Sequence, residues 1–123
     1  MYVTQGKIAY YSDYCVAYID REVARYYRSL IPAYHYVSPQ KYSTHVTVVR
    51  KLKEVVDTDH DSWRKYEGIS IPIYYEQVIR YGVEYYWLDA FSPALCAIRR
   101  ELGLSPYREG YDKFHITIGN SKQ

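Results

Sequence analysis

Apolar and polar positions alternate most cleanly in two short stretches, one in each half of the chain. They are Thr44-His45-Val46-Thr47-Val48-Val49 and Lys113-Phe114-His115-Ile116-Thr117-Ile118-Gly119-Asn120. Each runs histidine, apolar residue, threonine, apolar residue. Successive strand side chains point to opposite faces. His45 and Thr47 therefore share one face, as do His115 and Thr117, while Val46, Val48, Ile116 and Ile118 take the other and pack inward. Two such strands set together present two imidazoles and two hydroxyls.

The rest of the pattern predicts what surrounds them. Residues 6–12 read as a short strand or extended arm, broken at Asp13. Residues 14–19 are almost continuously apolar and read as a central strand. Asp20 is placed to cap a helix whose apolar face is Val23, Tyr27 and Leu30, ended by Pro32. A loop over 33–41 leads into the first motif strand, 43–49. Residues 55–65 are polar and acidic, with Trp63 and Tyr66 as anchors to the body. Residues 69–75 alternate as a strand, and Pro72 argues for an edge or a bulge. Glu76-Gln77 reads as a turn, followed by a long strand over 78–88 bent at Gly82. Ser92-Pro93 is a strong helix start, Leu95, Ile98 and Leu102 its buried stripe, and Gly103 its C-terminal cap. A loop over 104–112 leads to the second motif. The order strand, helix, loop, motif strand, then hairpin, helix, loop, motif strand implies two similar halves. Their approximate two-fold would bring the motifs face to face on antiparallel sheet.

Composition narrows this picture. A chain of 123 residues makes one domain with a sizeable core. The net charge of +2 gives little support to binding duplex DNA or bulk RNA. Cys15 and Cys96 have no paired spacing and read as reduced core thiols of a cytosolic protein. The start of the chain does not read as a signal peptide, and no apolar run nears the ~18 residues of a membrane span. Asp57, Asp59, His60 and Asp61 do not match a calcium loop and read as solvated, so no metal or cofactor is expected. Eighteen tyrosines against two phenylalanines stand out. Most pack strands, and a few at a cleft would stack on nucleobases. Tyr85-Tyr86-Trp87 puts aromatics on both strand faces, so at least one meets solvent or a ligand. Arg50, Lys51 and Lys53 are either a solvated strand end or a contact to phosphate at the mouth of the cleft.

Histidine titrates near neutrality, so of two imidazoles one can accept a proton while the other donates. Phosphodiester cleavage needs both, and threonine hydroxyls can bond the non-bridging oxygens as charge shifts. Catalytic candidates are therefore His45, Thr47, His115 and Thr117. The sequence leaves open which histidine is the acid.

The motifs His45-Val46-Thr47-Val48 and His115-Ile116-Thr117-Ile118, with the order of elements around them, resemble the 2H phosphoesterase superfamily. That resemblance implies an α+β, two-lobed, pseudo-symmetric LigT-like fold, with antiparallel sheets, flanking helices and a central cleft. It also implies metal-independent phosphodiesterase chemistry, often on 2′,3′-cyclic phosphates. Within the superfamily, the tyrosine-rich stretches at 7–12 and 85–88 are similar to the phage anti-CBASS phosphodiesterases. This closer resemblance implies a cyclic di- or trinucleotide immune signal as substrate, in the cytoplasm of a host cell. It implies a base stacked on Tyr11 or Tyr10, with Trp87 a further substrate-binding candidate. In that group chain beyond the second motif closes over the ligand. Here residues 119–123 follow it, so either another loop closes the cleft or the nearer resemblance fails. Two alternatives stand beside this reading: an enzyme opening 2′,3′-cyclic phosphates on RNA ends, and a module that only sequesters a nucleotide.

Overall fold

Strands form wherever an apolar residue recurs at every second position. In the computed structural model, which describes residues 1–121, these are β1 (Tyr2–Tyr10), β2 (Cys15–Tyr18), β3 (His45–Val49), β4 (Ser70–Tyr81), β5 (Tyr85–Phe91) and β6 (Phe114–Asn120). Helix α1 (Arg21–Ser29) joins β2 towards β3, and α2 (Pro93–Glu101) joins β5 towards β6. Both helices start as the sequence predicts. The Asp20 carboxylate accepts from the Glu22 N–H at 2.9 Å, and the Ser92 hydroxyl from the Leu95 N–H at 3.2 Å. Helix α2 ends in a Schellman turn. Gly103, at φ +77°, bonds back to Arg100 O, and Leu104 to Arg99 O. A left-handed residue there favours glycine, which has no Cβ to clash.

All neighbouring strands are antiparallel, and they close in the order β1-β2-β3-β6-β5-β4, with β4 returning to β1. Each half is a β-β-α-β unit. The halves join along two seams, β3 to β6 and β1 to β4. The interior is filled by side chains such as Ile8, Val46, Ile73, Leu88 and Ile116, all at or near zero exposure. Each contributes about 1.5–3 kcal/mol relative to leaving it in water. Residues from both helices belong to the same core: Ala24 and Tyr27 from α1, Leu95 and Ile98 from α2.

The closed barrel overturns the expected two-lobed LigT-like arrangement with a central cleft. The second seam is the reason. β1 begins at Tyr2, four residues before the predicted start, and pairs with β4 from Tyr2↔Tyr75 to Lys7↔Ser70. β4 is a single strand of twelve residues. The predicted turn at Glu76-Gln77 is instead an irregularity in its pairing with β5 between Tyr75 and Ile79, and the chain turns at residues 82–84. A strand of that length pairs with both β1 and β5, which zips the two halves shut. Pro72 sits where only β1 is paired, since the β5 register begins at Tyr74, so the missing N–H breaks no ladder there. The predicted loop over 33–41 contains a short 3-10 turn, Ala33–His35. Trp63 anchors the long 50–69 connection, its ring edge-on to Tyr10 at 4.9 Å, and the Tyr66 hydroxyl bonds Glu101. Cys15 and Cys96 are buried free thiols.

Candidate active site

The two motif strands are neighbours. β3 pairs antiparallel with β6 about Val46↔Ile116, both fully buried inside the barrel. One residue to either side, the pairing brings His45 level with Thr117 and Thr47 level with His115. The four side chains form a square on the outer barrel wall, with the histidines on one diagonal. Sheet geometry sets diagonal neighbours about 7–8 Å apart. All four residues are half-buried, as the alternation predicts. All four also line two adjoining cavities, a chamber of about 140 Å³ and a wider cleft of about 750 Å³.

The imidazoles sit in different surroundings. His45 Nδ1 lies 2.7 Å from the Ser43 carbonyl oxygen. A carbonyl only accepts, so Nδ1 carries the proton, and in the neutral ring Nε2 holds the free lone pair. His115 faces Asp89 across the β5–β6 register, with Nε2 3.9 Å from Oδ1. Burial pushes the His115 imidazole down, the Asp89 carboxylate pulls it up, and the Lys113, Arg108 and Arg50 charges push it down. The net result lies below the ordinary 6.5.

Asp89 is buried and well partnered. The Trp87 Nε1–H donates to Oδ1 at 3.1 Å, while Arg80 Nε and Lys113 Nζ lie 3.5 and 3.7 Å from Oδ2. On the far side of the chamber Arg99 is 2% exposed. It reaches both oxygens of Glu54, at 2.6 and 3.0 Å, and donates to the carbonyls of Val48 and Ser105. Burial pushes the Glu54 carboxyl up. The hydrogen bonds from Arg99 and the Arg50 N–H, and the Arg99 and Arg108 charges, outweigh that and hold it below 4.5. Arg108 stacks over Tyr111 at 4.4 Å, and its buried Nη1 has no hydrogen-bond partner among the described residues.

The substrate-binding candidates separate. Trp87 lies opposite Thr117 in the strand register, its ring 5.5 Å from that of His115, and it lines the wider cleft. A register shift between Tyr86 and Trp87 sets this alignment. Tyr11 stacks on Tyr14 at 4.8 Å, bonds the Tyr18 hydroxyl and lines a neighbouring groove. Tyr10 is 3% exposed and packs in the core on Trp63, so its face is not open to a base. Arg50 and Lys51 both line the wider cleft, Lys51 lying over the Tyr14 ring at 5.5 Å; Lys53 is exposed and lines none of the cavities described here.

The sequence reading missed Asp89, Arg108 and Lys113. Asp89 left a signal, a carboxylate between Leu88 and Ala90 in an otherwise apolar run. Arg108 left none, because only the fold of residues 102–113 brings it to the chamber. Compared with protein-family models, curated proteins and solved structures, the chain matches none.

Proposed function

We propose that the chain is a phosphodiesterase that transfers protons between two histidines, as in the 2H phosphoesterases its motifs resemble. One observation carries the reading: the β3–β6 seam sets His45, Thr47, His115 and Thr117 on one open face. Arg50, Arg108 and Lys113 line the adjoining chamber, as do Arg99 and Glu54, which are paired with each other. Three cations beside two imidazoles suit an anion that reacts by proton transfer.

In this scheme His45 Nε2 takes the proton of a water or a ribose 2′-hydroxyl as that oxygen bonds to phosphorus. His115 gives its proton to the leaving oxygen as the other P–O bond breaks. The threonine hydroxyls donate to the non-bridging oxygens, and Arg108 Nη1, unpaired among the described residues, gains an acceptor. His115 must be charged to act as the acid, although the free site holds its pKa low. The substrate's own negative charge offsets Lys113, Arg108 and Arg50 and adds to the pull of Asp89, so the two anions together oppose the burial that lowers the pKa. Trp87 offers a face for a base. The resemblance to the phage anti-CBASS phosphodiesterases supports a cyclic di- or trinucleotide signal as the substrate, and a role in viral evasion of host immunity rests on that resemblance alone.

The test is turnover in EDTA against cyclic di- and trinucleotides, a nucleoside 2′,3′-cyclic phosphate and an RNA with a cyclic end, read by chromatography. Cleavage of the cyclic oligonucleotides is expected. His45→Ala and His115→Ala should each lose about 10²–10⁴-fold in kcat, with melting shifted by no more than a few degrees. Turnover retained in either variant would sink the mechanism. Activity confined to 2′,3′-cyclic ends would make the protein an RNA-end enzyme.

A further inference from the structure

Helix α1 carries Arg21, Arg25 and Arg28 at spacings of four and three, which puts them on one helix face. That face looks onto the segment 39–44 across a groove of about 840 Å³, and Lys41 stands on the opposite wall. Among the described residues, no acidic one lines the groove. Glu22 lies nearby, 4.0 Å from Arg21 and 3.4 Å from Arg25, but all three side chains are well exposed and such pairs are weak. Arg28 donates to the Ile118 carbonyl at 2.9 Å, which ties the basic face to β6 one residue beyond Thr117. Thr117 itself lines the groove as well as the chamber and the cleft. The groove and the catalytic square therefore form one continuous surface. Aromatic faces flank the basic wall: Tyr11, and Tyr42, which is 71% exposed.

We infer that this groove is a second phosphate-binding subsite. It takes a non-scissile phosphodiester of an oligonucleotide whose scissile bond lies on the histidine–threonine square. Arg25 and Lys41 hold the phosphate from opposite walls, and Arg28 fixes the groove against β6. Guanidinium forks match phosphate oxygens, and tyrosine faces accept any base beside them. Arg25 and Lys41 line the groove and neither of the two cavities at the square, so a mononucleotide seated there makes no use of them. The assignment of the scissile bond rests on the phosphodiesterase reading above.

The experiment compares the parent protein with Arg25→Gln/Lys41→Gln, both on exposed side chains. The probes are cyclic di-AMP, which carries two phosphodiesters, and adenosine 2′,3′-cyclic phosphate, which carries one. The double variant should lose at least about tenfold in kcat/KM toward the dinucleotide and less than twofold toward the mononucleotide. Equal losses on both probes, or none on either, would overturn the subsite. Binding of cyclic di-AMP is measured in parallel by calorimetry on the His45→Ala background, over a salt series. The double variant should raise Kd at least fivefold there, and the slope of log K against log salt should fall by about 1–2. An unchanged Kd and slope would also overturn it. If the parent protein turns nothing over but Kd responds as expected, the subsite stands and the phosphodiesterase reading falls.

Discussion

Replacing Arg99 with methionine tests how the wall behind the site is held. The Arg99 and Glu54 side chains are 2% and 9% exposed. Removing the cation leaves a carboxylate buried without its partner, and takes a donor from the carbonyls of Val48 and Ser105. Breaking a buried pair from one side costs about 3–5 kcal/mol. With a urea m-value of about 1–3 kcal/mol/M, the unfolding midpoint should fall by roughly 1–5 M. Arg99→Met/Glu54→Leu should recover at least about 2 kcal/mol of the loss, because an apolar pair removes the stranded charge. The sign of the pH effect follows from Glu54. Its folded pKa is depressed, so the parent protein keeps this stability above about pH 4.5 and loses it as pH falls through the folded value. In Arg99→Met the buried carboxyl takes up a proton more readily, so the gap between variant and parent narrows from pH 7 towards pH 4. The assay is urea unfolding followed by tryptophan fluorescence at several pH values. A loss below about 1 kcal/mol, the worth of an exposed pair, would refute the reasoning. So would a double variant whose loss equals the sum of the two single losses.

Three further outcomes follow from single contacts. Asp89→Asn removes the charge that pulls the His115 pKa up, so an NMR titration should place that imidazole lower than in the parent, and Lys113→Gln should place it higher; no movement in either would mean that neither charge acts on the ring. A Cβ at Gly119 would meet the Ser38 carbonyl oxygen at 2.8 Å and Val37 Cγ1 at 2.6 Å, where β6 is bridged to Ser38, so Gly119→Ala should cost about 1–3 kcal/mol in thermal or urea unfolding. The buried Tyr10 hydroxyl has no partner among the described residues, so Tyr10→Phe should leave stability equal or raise it by up to about 1 kcal/mol, with turnover unaltered; a clear drop in turnover would return Tyr10 to the substrate site.

The sequence by itself determined which residues share a face in the two motif strands and where both helices start. A period of two residues is enough to sort His45 and Thr47 from Val46 and Val48, and His115 and Thr117 from Ile116 and Ile118. Local rules also settled the helix starts at Asp20 and Ser92 and the left-handed stop at Gly103, because each depends on backbone groups a few residues away. The tertiary structure decided closure. Whether Glu76-Gln77 turns or continues depends on β1 and β5 lying alongside, and no local signal carries that. Closure moved the histidine square from an inter-lobe cleft to the outer wall of a barrel. The same non-local pairing brought Asp89 to His115 and Arg99 to Glu54, and it buried Tyr10, whose sequence neighbour Tyr11 stayed at the surface. The strand period says which residues share a face; which strands lie side by side depends on pairings between segments far apart in the chain.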